Sequence, residues 1–252
     1  MQKFAGPIFQ RAALFGQSRH FLHKRLWLQP SNRTMSTEGK KALRSNIRAT
    51  LSQLKDEEIT RQSQSAQELV FALPQYKAAQ HISIYLAMPT AEARTDGLVR
   101  HSLESGKSVY VPYLATISTK QGQKSAKKEM QMLQLHSQDE YNGLERDSWG
   151  IPSLPSGDGR ANAMDSDAGL DMIIVPGVAF DGQMNRIGHG AGFYDRFLTK
   201  FCADGTRQKP YLVGFCLSDQ ILASDQIKME SWDWKVDTVV VGDGRRLTFG
   251  SS

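Results

Sequence analysis

Apolar positions along the 252-residue chain follow two rhythms. Short runs of alternating or unbroken apolar residues occur at 81–86 (HISIYL), 107–112 (KSVYVP), 130–135 (MQMLQL), 172–175 (MIIV), 211–217 and 238–241, and each reads as a β-strand. The run at 172–175 is apolar at every position, so it is expected to be buried on both faces. Between the strands the period lengthens to three and four. Leu43, Ile47, Leu51 and Leu54 mark a helix over 38–54, a second helix over 56–73 stops at Pro74, and 97–105 forms a third. Phe193, Phe197 and Phe201 define one face of a further helix, and a short one begins at 218–221. Polar stretches at 116–129 and 157–168 read as exposed loops, the 130–135 strand as one near the sheet edge. Strands alternating with helices predict an α/β fold, a single three-layer α/β/α domain with a mostly parallel central sheet. No internal repeat interrupts that plan.

The chain's chemistry concentrates at 171–198. Pro176 and Gly177 end the buried strand, and a polar turn, 181–185, leads to Arg186. Glycines then stand at alternate positions, Gly188, Gly190 and Gly192, and the phenylalanine helix begins. A strand, a glycine loop and a helix N-terminus form an anion cradle, because glycine lets backbone N–H groups approach a phosphate and the helix end carries partial positive charge. Arg186 and His189 add side-chain donors, and Asp195 lies where it could hold a metal ion against the same phosphates. The bland reading is a glycine turn that only connects strand to helix. The spacing is neither that of a Walker A loop nor of a dinucleotide fingerprint.

Near the start of the first helix Lys40, Lys41 and Arg44 sit where the helix dipole disfavours cations, which suggests an anionic partner. Glu92 is the one carboxylate in the loop after the 81–86 strand, and such loops at strand carboxyl ends bind ligands in open α/β sheets.

The formal charge of +5 resembles a nucleic-acid signal until it is located. Residues 1–37 carry six basic residues and no acidic one, and removing those six leaves the remainder at −1. Residues 1–35 interleave the basic residues with Phe, Leu, Ile and Trp, the composition of a mitochondrial targeting segment, and the domain is expected over 36–252. Met35 offers an internal start for a cytoplasmic form. No apolar run approaches a membrane span, and Cys202 and Cys216 have neither a disulfide framework nor metal-ligand spacing.

The segment RIGHGAGFYDRFL after IIVPGVAFD resembles the signature of the 5-formyltetrahydrofolate cyclo-ligase family. The resemblance runs from about residue 40 to 241 and includes KKALR (40–44), ISIYLAMPTAEART (82–95), SWGIPSLP (148–155) and KVDTVVV (235–241). It implies ATP- and magnesium-dependent conversion of 5-formyltetrahydrofolate to 5,10-methenyltetrahydrofolate, with ADP and phosphate released. On that resemblance Lys40, Lys41, Ala42, Leu43 and Arg44 contact ATP, together with Arg186, Ile187, Gly188, His189, Gly190, Ala191, Gly192, Phe193 and Tyr194. Arg186 and Tyr194 are the catalytic candidates, and Asp195 and Asp237 the magnesium carboxylates. Leu86, Met88, Glu92 and Trp149, with 189–193, line the folate end. The partners implied are small molecules, with no nucleic acid and no membrane, acting on a monomer. His189 stands where many members of that family carry a cationic or large aromatic residue, and Ala191 where they carry glycine or lysine. The other readings are a folate- or nucleotide-binding module without catalysis and a different ATP-using enzyme on a similar sheet.

Overall fold

The computed structural model describes residues 37–117, 127–165, 169–203, 205 and 207–249. The targeting segment expected at 1–35 lies outside these residues, as do 118–126 of the first expected loop and 166–168 of the second.

Chain order begins with two helices, α1 (Thr37–Leu51) and α2 (Asp56–Ala72). Asp56, Glu57 and Glu58 fill the first turn of α2, where negative charge complements the helix dipole. Leu73 is extended ahead of Pro74, which ends α2 and opens α3 (Pro74–Ala78). Then come β1 (His81–Ile84), α4 (Asp96–Glu104), β2 (Ser108–Ile117), β3 (Lys127–Leu135) and α5 (Gln138–Asn142). A small ribbon, β4 (Glu145–Arg146) with β5 (Pro152–Ser153), precedes β6 (Met172–Val175). After β6 come β7 (Ala179–Asp181), β8 (Arg186–Ile187), α6 (Phe193–Phe201) and β9 (Tyr211–Cys216). A 3-10 turn (Ser218–Gln220), β10 (Ile221–Leu222), β11 (Thr238–Val241) and β12 (Arg246–Thr248) complete it.

The main sheet has seven strands in the order β12-β11-β9-β6-β1-β2-β3. Its five inner strands, β11, β9, β6, β1 and β2, are parallel, and β12 and β3 close the edges antiparallel. Period-two alternation splits the core. Ile82, Ile84, Met172, Ile174, Val213 and Phe215 pack toward α1 to α4, while Ile173, Val175, Leu212 and Val239 pack against Phe197, Leu198 and Phe201 of α6. Met172–Val175 is buried at all four positions, because apolar layers cover both faces.

Two expectations need correcting. The stretch 116–129 is not wholly loop, because β2 runs to Ile117 and β3 starts at Lys127, paired Ile117 to Lys127. The β1 register covers only residues 108–110 of β2, so Pro112 can sit further along without a donor, and the exposed outer half of the hairpin tolerates polar residues. The helix expected at 218–221 is only a 3-10 turn, and β10 follows it directly. Among the described residues no helix is long and apolar enough to cross a membrane.

The connection from β1 goes to β2 on one side, whereas β6 proceeds through β9 to β11 on the other. The strand order therefore reverses between β1 and β6, and ligands of open α/β sheets lie outside the carboxyl ends at such a point. The loops leaving those two strands carry Glu92 and the glycine loop.

Candidate active site

A second, three-stranded sheet, β10-β7-β8, presents the glycine loop. Its turn is built by Asp181, whose Oδ1 accepts from the Gln183 and Asn185 amides at 2.9 and 3.1 Å and whose Oδ2 accepts from Asn185 Nδ2 at 3.0 Å. The turn delivers Arg186 into the protein, its side chain only 4% exposed. The Arg186 Nη2 donates to Asp195 Oδ1 at 2.6 Å. Gly188 makes room for that guanidinium, since a Cβ there would stand 2.9 Å from Arg186 Nη1. Gly192 caps α6 at φ 65°, a left-handed conformation that L side chains rarely adopt.

Three arginines grip the loop by its carbonyls. Arg44 Nε donates to Gly188 O at 2.7 Å, Arg48 Nη2 to His189 O at 3.3 Å, and Arg196 Nη1 to Ala191 O at 2.6 Å. Burial and the neighbouring Arg48 hold the Arg44 guanidinium below its ordinary pKa, while Asp233 opposes them. Arg48 also meets His189 Nδ1 at 3.2 Å. A guanidinium only donates, so in the neutral ring Nδ1 accepts and the proton sits on Nε2. That nitrogen faces Glu92 Oε1 at 3.7 Å. Glu92 is 6% exposed, and its other oxygen accepts from the Met88 amide at 2.8 Å. The glycine loop and the loop after β1 thus meet through His189.

The Tyr194 hydroxyl is buried here without a hydrogen-bond partner. Burial pushes its pKa well up, Glu92's charge adds to that, and Arg186 opposes it. The hydroxyl therefore stays protonated, a donor with nothing yet to donate to.

A cleft of about 890 Å³ opens in front of the loop, lined by Lys40, Arg44, Arg186, Asp195, Gly188 and Gly190 to Gly192, with Ile227, Glu230, Trp232 and Asp233 along another wall. Lys40 Nζ lies 3.0 Å from Asp233 Oδ2 and 3.6 Å from Glu230 Oε1. Ile187 lines it too. Lys41 and Ala42 are exposed and do not line it, and Leu43 packs partly into the core. Leu86 is likewise a core residue beside the loop, and Met88 is half-buried. Trp149 is 73% exposed, off the cleft, on a loop whose Gly150 sits against Pro89 next to Met88. Phe193 lines a neighbouring cavity of about 330 Å³, with the Arg196 guanidinium 5.1 Å from its ring centre.

The two expected metal acids have different surroundings. Asp195 lines the cleft and also accepts from the Trp234 amide at 3.1 Å. Asp237 does not line it. It stands at the amino end of β9 and β11, accepting from Lys209 Nζ at 2.6 Å and the Leu212 amide at 2.8 Å. Among the described residues no group of three or more His, Cys, Asp or Glu is placed to hold a metal ion by itself.

Four residues at this site, Arg48, Glu230, Trp232 and Asp233, are absent from the expectations drawn from sequence. Arg48 was findable, because Lys40, Arg44 and Arg48 recur every four residues and so share a helix face, whereas Lys41 does not. The other three lie in irregular chain between β10 and β11, where no periodicity points at a neighbour.

Sheet, switch point and anion-receptive loop define an α/β protein with a charged cleft at the carboxyl ends of its strands. The sequence profile of the 5-formyltetrahydrofolate cyclo-ligase family matches residues 36–242, and the chain belongs to that family of ligases. A mouse protein named 5-formyltetrahydrofolate cyclo-ligase is 34% identical over 81% of this chain and 94% of its own length. An Arabidopsis thaliana relative, named as the mitochondrial 5-formyltetrahydrofolate cyclo-ligase, is 26% identical over 81% of this chain and 74% of its own. The solved structure of an Aquifex aeolicus 5,10-methenyltetrahydrofolate synthetase superimposes with a TM-score of 0.62 at 26% identity, covering 84% of this chain and 94% of that one.

Proposed function

We propose that the chain converts 5-formyltetrahydrofolate to 5,10-methenyltetrahydrofolate with ATP, releasing ADP and phosphate. The observation that carries this reading is the meeting of two unlike loops at one switch point. One is cationic and glycine-rich, suited to phosphates, and the other presents a buried carboxylate, Glu92, suited to the N–H groups of a pterin.

An N-formyl group is a weak electrophile whose oxygen leaves poorly. Moving the γ-phosphoryl group of ATP onto that oxygen forms an O–P bond as the bond to ADP breaks. The neighbouring N10 amine then attacks the formyl carbon and gives up its proton to solvent, and the C–O bond breaks as the oxygen departs with the phosphate. The substrate supplies nucleophile and acceptor, so the protein's task is position and charge. Arg186, buried and aimed at the loop, neutralises charge on the transferring group. The Tyr194 O–H, held neutral, donates to an oxygen that arrives with substrate. His189 and Arg48 keep the two loops in register.

Magnesium, when bound with ATP, would neutralise phosphate charge. Asp195 fits such an ion, since it lines the cleft beside the glycine loop, and one or two carboxylates suffice when phosphate and water supply the remaining oxygens. Asp237 fits less well in this arrangement, because reaching the ion would require giving up both Lys209 and the Leu212 amide.

We further propose that the protein acts as a monomer on small molecules, with residues 1–35 directing it to mitochondria and Met35 starting a cytoplasmic form. The basic, acid-free composition of that segment supports the address, and one plant relative carries the same label. The test of the reaction is absorbance. Full-length protein given 5-formyltetrahydrofolate should produce the longer-wavelength methenyl chromophore only when ATP is present. Binding of both ligands with no absorbance change would indicate a module that holds folate and nucleotide without turning them over.

A further inference from the structure

We propose that Trp232 is the stacking platform for the purine ring of the nucleotide. The inference rests on the ATP reading above and assigns the half of the cleft that the phosphate machinery leaves unexplained. The glycine loop, Lys40 and Arg44 line the cleft together and mark where phosphates would go, with Lys40 reaching Asp233 beside Trp232. A nucleoside attached to those phosphates must lie along the same cleft of about 890 Å³. The wall formed by the segment before β11 contributes Ile227, which is buried, and Trp232, which is 65% exposed.

An exposed indole within a charged cleft calls for an explanation, since an apolar ring of this size gains most by burial. Loose chain does not supply one, because the backbone on either side of Trp232 is tied to the site. Asp233 accepts from Lys40 Nζ at 3.0 Å and from the Glu230 amide at 2.9 Å. Trp234 donates its amide to Asp195 at 3.1 Å and its indole N–H to Thr199 Oγ1 at 3.0 Å. Trp234 is thus consumed by the wall, while Trp232, inside the turn closed between Glu230 and Asp233, presents an exposed ring to the cleft one position from the partner of Lys40. A flat apolar face beside a phosphate-binding lysine suits a purine on a polyphosphate. Stacking does not read base edges, so this contact serves adenine and guanine alike.

The experiment measures binding by full-length wild type, Trp232→Ala and Trp232→Phe of two probes, a non-hydrolysable ATP analogue and inorganic tripolyphosphate, by calorimetry. Removing an aromatic platform weakens a stacked base by roughly 5- to 150-fold. The expected result is a loss of that size for the analogue in Trp232→Ala, most of the affinity kept in Trp232→Phe, and equal tripolyphosphate binding in all three. Equal analogue binding by Trp232→Ala and wild type would overturn the assignment, as would an equal loss for both probes, which points to a disturbed phosphate wall. If wild type binds neither probe, the ATP reading fails first and the platform with it.

Discussion

Arg186→Ala separates a structural cation from a reacting one. The change removes the positive member of a pair whose side chains are 4% and 16% exposed, leaving Asp195 with the Trp234 amide as its remaining donor. Deleting one partner of a buried ion pair costs about 3–5 kcal/mol. Asp195 keeps that amide and faces cleft water, which places the cost near the low end, about 3 kcal/mol. A domain of ordinary stability, about 5–15 kcal/mol, survives that loss. The rate should fall further than the fold. Removing one preorganised donor from a transition state typically lowers kcat by about 10²–10³, or about 2.7–4 kcal/mol.

The decisive variant is the double mutant Arg186→Ala/Asp195→Asn. Neutralising the orphaned carboxylate should return most of the lost stability, with a coupling of about 1–3 kcal/mol between the two sites. Activity should stay at or below that of Arg186→Ala, because the reaction still lacks its cation. Denaturant unfolding reads the first quantity, and the methenyl absorbance rate under saturating ATP reads the second. If rate returns together with stability in the double mutant, Arg186 is scaffolding and the assignment is wrong.

Three further predictions concern single groups. Tyr194→Phe removes a buried hydroxyl that has no partner, so stability should hold or rise by about 1 kcal/mol while activity falls. Because burial raises the folded pKa of Tyr194, the unfolded chain ionises first and stability falls as pH climbs from the ordinary tyrosine pKa toward the folded value; the stability of the variant should therefore fall less steeply above about pH 10. Arg48→Ala, at an exposed position, should change stability by less than about 0.5 kcal/mol yet raise KM for both substrates, since its ring contact joins the two loops; a shift in neither constant would remove it from the site. Asp195→Asn should raise the magnesium concentration for half-maximal rate, whereas Asp237→Asn should mainly cost stability through Lys209 and Leu212. A raised magnesium requirement in Asp237→Asn would mean the segment before β11 rearranges when nucleotide enters.

Much of this was legible in the chain because the fold writes itself in periods. The inner strands are covered on both faces, so 172–175, 211–216 and 238–241 show as apolar runs, and the glycine loop shows as glycines at alternate positions between Arg186 and a helix. What could not be read lies where no period operates. Lys127 to Glu129 look like loop by composition, yet an exposed outer hairpin accepts polar residues as readily as a loop does. Asp195 and Asp237 look equivalent as acids flanking ordered elements, and only the partners each finds, Arg186 for one and Lys209 for the other, distinguish them. Trp149, expected at the folate end, is exposed and off the cleft, whereas Trp232, which no periodicity singles out, lines it.

The pairing of charges in the cleft has a consequence for how an anion would bind. Lys40, Arg186 and Lys200 each already hold a carboxylate, Asp233, Asp195 and Glu129 respectively. A phosphate that takes one of these cations must displace an acid, and the displaced acid becomes available to a divalent ion arriving with the nucleotide. Arg44, Arg48 and Arg196 are arranged differently, since they hold the loop through carbonyl oxygens, which carry no net charge. Their guanidinium charge therefore remains as field over the glycine loop before any ligand is present. First attraction belongs to the arginines, and the final grip to an exchange of ion pairs. Such an exchange nearly conserves the number of charge contacts, so binding of the magnesium–nucleotide complex should depend on salt less steeply than the six cations around the loop would suggest, and binding of metal-free ATP more steeply. Calorimetric titrations at two ionic strengths, with and without magnesium, distinguish these slopes; equal slopes would show that the acids do not change partners.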